Sequence, residues 1–74
     1  MSRPILCEFR LLDGDSELKA VRVRVKKSSL SPGNKFEIVT NDLSGQFEIK
    51  SSHPTKTNPD RVKRIAVLAL VLDN

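Results

Sequence analysis

One short segment, VRVRVKK at residues 21–27, alternates apolar and basic side chains with a period of two. Successive side chains of a β-strand point to opposite faces, whereas those of a helix return to the same face about every 3.6 residues. The segment therefore predicts a strand, within a longer one over residues 17–27. Its valines would lie in a core, and its basic side chains would lie in solvent.

Turn signals divide the first fifty residues into further short strands. Asp13-Gly14 favours a tight hairpin turn, because glycine readily adopts a positive φ. The segments SPGN at 31–34 and NDLSG at 41–45 predict two more turns. Apolar residues alternate with others in the segments between, at residues 5–12, 35–40 and 46–51. This arrangement predicts two consecutive hairpins, followed by an irregular polar loop at 51–60.

The last apolar segment, residues 61–72, fits either a strand or a helix. The sequence NPD at 58–60 resembles a helix start, with asparagine as the N-cap and proline at the first helical position. However, the three basic residues that follow would lie at the positive end of the helix dipole, which is unfavourable. The segment is also rich in β-branched residues, which favour extended structure. We therefore expect a strand, with a helix as the alternative.

These elements predict a single all-β domain over residues 1–74. About five strands would form a small antiparallel sheet, barrel or sandwich from two hairpins and a C-terminal apolar strand; the alternative is an α+β fold with a C-terminal helix. A chain of 74 residues has a marginal core, and a single cysteine, Cys7, excludes an internal disulfide. We therefore expect a stabilising partner chain and a cytosolic or nuclear location rather than secretion. The apolar run at 65–72 is far shorter than the roughly 20 residues of a membrane-spanning helix, so no membrane span is expected.

The basic face of the second strand is the main candidate for a binding site. The formal net charge is +4, the pI is about 9.6, and no acidic residue occurs between Leu18 and Phe36. Basic side chains in a row along a strand suit the phosphates of a nucleic-acid backbone. The predicted nucleic-acid-binding residues are Lys19, Arg22, Arg24, Lys26, Lys27, Arg61, Lys63 and Arg64. The alternative is that the basic face only protects an edge strand from aggregation.

The C-terminal strand would be apolar on both of its faces. One face can pack on the core of the domain, and a second copy of the chain is the simplest cover for the other, so we expect a homodimer. The predicted partner interface is Ile65, Val67, Leu68, Leu70 and Leu72. A closed barrel or sandwich that buries both faces within one chain is the alternative. The strand could also pair with another protein while the basic face docks on an acidic surface, which makes an interaction module the second functional hypothesis.

Enzymatic, metal-binding and cofactor-binding functions are not expected. The only histidine, His53, lies in the predicted polar loop, and Cys7 alternates in phase with core positions, so no nucleophile–base pair can be named. One histidine and one cysteine do not form a usual metal-ligand cluster. There is no tryptophan or tyrosine, and the three phenylalanines alternate in phase with core positions. DNA or RNA would therefore be bound through its backbone, with little sequence preference, rather than by base stacking.

Overall fold

The computed structural model describes residues 3–56 and 61–71 and consists mainly of β-strands. In chain order the elements are β1 (Ile5–Asp13), β2 (Ser16–Val25), a 3₁₀ helix (Lys27–Leu30), β3 (Lys35–Val39), β4 (Ser44–Pro54) and β5 (Arg64–Leu70). The prediction of an all-β fold with five strands is confirmed. Within the described ranges, no helix is long and apolar enough to cross a membrane.

The strands form one curled sheet, a half-barrel, in the order β2-β1-β5-β4-β3. β1 pairs with β2, and β3 pairs with β4, as antiparallel hairpins. β5 lies between the two hairpins, antiparallel to β4 and parallel to β1. The sheet is therefore mixed, whereas the sequence pattern predicts antiparallel pairing. β5 is the central strand of the five.

The concave inner face of the half-barrel holds the hydrophobic core. Alternate residues of the strands point to this face, and the 3₁₀ helix adds one leucine. The buried core residues are Cys7, Phe9, Leu11, Leu30, Ile38, Phe47, Ile49, Ala66 and Leu68. The side chains between them along the strands lie on the convex outer face, which carries most of the charged residues of the sheet.

β2 follows the alternation predicted from the VRVRVKK segment. Val21, Val23 and Val25 pack against the core, while Arg22 and Arg24 are exposed on the outer face. The turn between β1 and β2 contains a glycine with a φ of 62°, a region where glycine is much more favourable than residues with a side chain. This turn and the ladder that follows it determine which β1 residue lies opposite each arginine.

β5 confirms the preference for a strand over a helix. Ala66 and Leu68 are fully buried on the inner face, whereas Ile65 and Val67 are half-buried on the outer face. Both faces of the strand are therefore apolar, but only one belongs to the core. Leu72 lies outside the described residues.

β4 is longer than its sequence pattern predicts. The polar composition from residue 51 onward predicts a loop, yet the strand continues to Pro54. β5 supplies backbone partners along this stretch and places His53 opposite Ile65. The strand ends at proline, which cannot donate a backbone hydrogen bond. Pairing with a neighbouring strand thus overrides the local composition, and residues 57–60 of the predicted loop lie outside the described residues.

Two side-chain contacts link the two hairpins across the inner face. The rings of Phe9 in β1 and Phe36 in β3 meet edge to face, with their centroids 5.1 Å apart. Lys19 of β2 donates a hydrogen bond to Asp42 of the β3–β4 turn, with Nζ and Oδ1 2.9 Å apart. The Lys19 ammonium, with the Thr40 hydroxyl, lowers the pKa of the Asp42 carboxyl from its ordinary value. Side chains, rather than a further strand pairing, therefore join the hairpins here.

Candidate nucleic-acid interface

Arg22 and Arg24 project from the outer face of β2. They are two residues apart in an extended strand, so their Cα atoms are roughly 6.5–7 Å apart. Both residues are exposed, and the neighbouring valines anchor the strand to the core. The strand thus presents two guanidinium groups at intervals that suit an extended phosphate backbone.

A second basic pair, Arg61 and Lys63, is held in place just before β5. Val62 between them is buried, and its carbonyl accepts a hydrogen bond from the Thr55 hydroxyl at 2.7 Å. The Lys63 amide donates to the Leu6 carbonyl at 2.8 Å, and the Lys63 carbonyl accepts from the Thr55 amide at 3.1 Å. These bonds fix the backbone while Arg61 and Lys63 themselves remain exposed.

The two basic pairs meet at one end of the sheet, although β1 separates β2 from β5. Arg24 lies opposite Leu6 in the β1–β2 ladder, and the Lys63 amide bonds to Leu6 from the other side. Because neighbouring strands are about 4.8 Å apart, the Cα atoms of Arg24 and Lys63 are roughly 10 Å apart. A cleft of about 300 Å³ opens here; we call it the basic cleft, and it is lined by Pro4, Ile5, Leu6, Arg24, Arg61 and Lys63.

The charge of the basic cleft is not compensated by nearby carboxylates of the described chain. Within residues 3–56 and 61–71, no aspartate or glutamate forms an ion pair with Arg24, Arg61 or Lys63. The turn end of the first hairpin is roughly 20 Å away along β1. That end carries the acidic residues Asp13, Asp15 and Glu17. Charge is therefore segregated along the hairpin, and this arrangement attracts an anion to the end with the basic cleft.

Arg22 has an acidic neighbour that the sequence pattern does not reveal. It lies opposite Glu8 in the β1–β2 ladder, and its Nε is 3.9 Å from Oε1 of Glu8. Oε2 of the same carboxylate accepts a hydrogen bond from Nε of Arg10 at 3.2 Å. One carboxylate thus lies between two guanidinium groups. The register of the predicted hairpin is the signal that could have identified this pairing.

Two of the predicted binding residues, Lys19 and Arg64, lie on the inner face instead. Lys19 makes the ion pair that links the hairpins. Arg64 donates from Nη2 to Oγ of Ser52 at 3.2 Å, and its Nε is buried. Lys26 and Lys27 are exposed where β2 passes into the 3₁₀ helix. Of the predicted residues, Arg24, Arg61 and Lys63 line the basic cleft, and Arg22 lies two residues before Arg24 in β2.

The predicted partner interface divides between the two faces of the sheet. Ile65 and Val67 are half-buried on the outer face. Leu68 is 0% exposed and belongs to the core, and Leu70 packs against the same core. Only the first two of these four residues therefore present an outer surface. Leu72 is not among the described residues, so the structure does not test the prediction that it belongs to the interface.

Reactive and aromatic side chains are turned toward the core. Cys7 is fully buried, and burial raises the pKa of its thiol to about 11, although the nearby Arg64 guanidinium acts in the opposite direction. A thiol with this pKa remains protonated and unreactive near neutral pH. Phe9 and Phe47 are buried, and Phe36 packs against the core. In the part of the chain that the structure describes, no three histidine, cysteine, aspartate or glutamate side chains are grouped to hold a metal ion.

Comparison of the chain with protein-family models, with curated proteins and with solved structures finds no match. Function is therefore inferred from the basic cleft, from the arginines of β2 and from the apolar part of the outer face.

Proposed function

We propose that this protein is a non-enzymatic nucleic-acid-binding domain that holds the phosphate backbone at the basic cleft and at Arg22. The observation that supports this most strongly is the convergence of Arg24, Arg61 and Lys63 from separate parts of the chain on one cleft. Arginine and lysine bind phosphate through charge-assisted hydrogen bonds, and arginine can make two parallel ones. A group of such residues that has no ion-pair partner within residues 3–56 and 61–71 suits a polyanion.

The proposed mode of binding is backbone recognition with little sequence preference. Phe9 and Phe47 are buried within the core, and Phe36 contacts Phe9. None of these rings forms an exposed platform for base stacking, which is how many single-strand binders hold bases. The proposed site of action is the cytosol or the nucleus, where the free thiol of Cys7 would stay reduced.

Salt dependence tests the electrostatic mode of binding. The slope of log K against log salt reaches at most about −3.6 on duplex DNA and about −2.8 on single strands, the values for Arg22, Arg24, Arg61 and Lys63 each neutralising a separate phosphate. Mobility shifts with duplex and single-stranded DNA and RNA, across a range of salt concentrations, measure this slope. Binding that is insensitive to salt would contradict the proposal.

A pair of charge-matched double variants tests the location. Arg24→Glu/Lys63→Glu should lower the affinity more than tenfold. It should also reduce the magnitude of the salt slope on duplex DNA by up to about 1.8, the value for two separate phosphate contacts. The control, Lys35→Glu/Lys50→Glu, changes the net charge equally on β3 and β4, away from the basic cleft. It should change the affinity much less. Circular dichroism checks that both variants fold, and equal losses in the two variants would argue against the assigned site.

A second candidate function is assembly with another protein chain, which the outer face of β5 favours. Half-buried apolar side chains form a strip along the outer face of β5, with Glu8 and Arg10 of β1 beside its middle and a leucine of β1 near each end. The members of the strip are Leu6, Leu12, Ile65, Val67 and Ala69. Apolar surface of this kind is more stable when covered, and a second copy of the chain would give a homodimer. An acidic partner protein, attracted by the basic cleft, is the heterologous form of the same proposal.

Replacing Val67 by lysine tests the assembly candidate. The substitution places a charge in the middle of the apolar strip, so it should convert a dimer to a monomer at micromolar concentration. Sedimentation equilibrium measures the mass of the original chain and of the variant. A monomeric original chain would remove the homodimer.

A further inference from the structure

The basic cleft combines cations with an apolar floor in a small volume. Three cationic residues, Arg24, Arg61 and Lys63, line it together with Pro4, Ile5 and Leu6. Its volume of about 300 Å³ is at the lower end of the range found for small-molecule sites. A cleft of this volume can hold one nucleotide but not a long stretch of nucleic-acid backbone.

We propose that the basic cleft binds the terminal phosphate of a nucleic-acid strand, with the adjoining nucleotide against Pro4, Ile5 and Leu6. This inference rests on the proposed function and makes its ligand more specific. The chemical class is a phosphomonoester at a strand end, not the internal phosphodiester. Arg22, which lies outside the cleft on the outer face of β2, contacts the backbone that continues from this end.

Charge is the first argument for a terminal phosphate. An internal phosphodiester carries one negative charge, whereas a phosphomonoester carries between about 1.5 and 2 near pH 7, because its second pKa is about 6. Backbone tracking needs about one cation for each phosphate, spaced along a groove. Three cations around one small cleft instead match a single group with a higher charge and three free oxygens.

Pre-organisation is the second argument. The backbone of Lys63 is held by hydrogen bonds from both sides, to Leu6 and from Thr55. Arg61 has a φ of 64°, which is uncommon for a residue other than glycine and is often found where a side chain must be aimed at a ligand. The cleft therefore presents its cations from a fixed backbone, which lowers the ordering cost of binding.

The test compares three forms of one short single-stranded oligonucleotide by fluorescence anisotropy: 5′-phosphorylated, 3′-phosphorylated and without a terminal phosphate, each labelled at an internal position. One phosphorylated form should bind about tenfold more tightly than the unphosphorylated one, as expected for an added charge-assisted contact. The two phosphorylated arms identify which strand end the cleft accepts. Equal affinity for all three forms would overturn this inference and leave the proposed function intact, whereas no binding of any form would overturn both.

Lowering the pH gives an independent readout. The preference for the phosphorylated form should decrease from about pH 7.5 to about pH 5.5, as the phosphomonoester gains its second proton. The unphosphorylated oligonucleotide, measured over the same pH range, is the control for the protein itself, including the three cations of the cleft and His53, which lies on the outer face opposite Ile65. A preference that does not change with pH would count against a phosphomonoester.

Single substitutions separate the cleft from the rest of the surface. Arg61→Ala and Lys63→Ala should each abolish most of the preference for the phosphorylated form. Arg22→Ala should weaken the binding of all forms equally, and the matched control Lys35→Ala, on the far edge strand β3, should leave the preference intact. If Arg61→Ala and Lys63→Ala retain the full preference, the terminal phosphate is bound elsewhere and the inference is wrong.

Discussion

The inner and outer faces of β5 contain similar residues, yet they have different roles. Ala66 and Leu68 on the inner face are completely buried, whereas Ile65 and Val67 on the outer face retain part of their exposure. The strand itself is nearly uniform in composition, so the difference arises from what lies over each face. The curl of the sheet brings side chains of β1, β3 and β4 over the inner face only.

The same comparison extends to the charged residues of the sheet. On the inner face, Lys19 and Arg64 have short-range polar partners of the same chain, Asp42 and Ser52. On the outer face, the cations of the basic cleft have no ion-pair partner among the described residues. Packing therefore governs the inner face. The outer face carries cations paired with carboxylates, such as Arg10 and Lys50, as well as the cations of the basic cleft. Substitutions on the inner face should therefore mainly change stability, and substitutions of charged residues on the outer face should mainly change binding.

The largest expected effect is on stability, at Leu68. Leu68→Ala should lower the free energy of unfolding by about 2–5 kcal/mol, because it leaves a cavity in the core. Val67→Ala, one residue away on the outer face, should lower it by about 1 kcal/mol or less, because the side chain is only half-buried. Urea denaturation of the two variants measures both values. Equal losses would mean that the two faces are equally packed, contrary to this structure.

The next effect concerns the buried thiol of the inner face. Burial raises the pKa of Cys7 from 9.0 to about 11, so between these values the unfolded chain loses a proton that the folded chain keeps. The free energy of unfolding should therefore decrease as the pH rises from about 9 to about 11, and this contribution is fully present below pH 9. Urea denaturation across this range, with Cys7→Ala as the control, measures it.

The Cys7→Ala variant should show a flatter pH profile than the original chain, because it lacks the thiol whose pKa is raised by burial. In parallel, iodoacetamide should modify Cys7 slowly at neutral pH and rapidly in urea. Fast modification of the folded protein would show that the thiol is accessible, which the core position excludes.

The smallest expected effect is on the outer face, at Glu8. Glu8→Gln removes the carboxylate beside Arg10 and Arg22, so it should raise the affinity for nucleic acid by about two- to fivefold, consistent with the modest energies of exposed ion pairs. Glu37→Gln is the matched control, because it makes the same charge change on β3. Mobility shifts at low salt compare the two. A larger gain in Glu37→Gln would mean that the arginines of β2 are not part of the interface.

The sequence pattern predicts most of the strands, but the predicted set of basic residues does not separate the two faces of the sheet. The alternation at 21–27 correctly places the three valines inward and the two arginines outward. Side chains alternate between the faces of a strand whichever strands pair with it, so this prediction does not depend on strand order. Lys19 has the same parity as the valines, and its inner position follows from that rule. Arg64 is two residues before Ala66 and therefore points to the same face of β5. Its inner position follows once that face is known to be the core.

The remaining features depended on strand order, which no local pattern encodes. Glu8 lies beside Arg22 only through the hairpin register, and the basic cleft exists only because the segment before β5 bonds to β1. The length of β4 likewise follows from its pairing with β5 rather than from its composition.

The sequence alone determined that this chain forms short strands whose side chains alternate between two faces, because side-chain alternation depends only on backbone geometry. It also determined the excess of positive charge and the lack of spare aromatic residues. The tertiary structure decided which apolar face of β5 became the core and which basic residues met carboxylates. These outcomes depend on contacts between residues far apart in the chain. Such contacts are set by the free energy of packing and strand pairing over the whole fold rather than by any single segment.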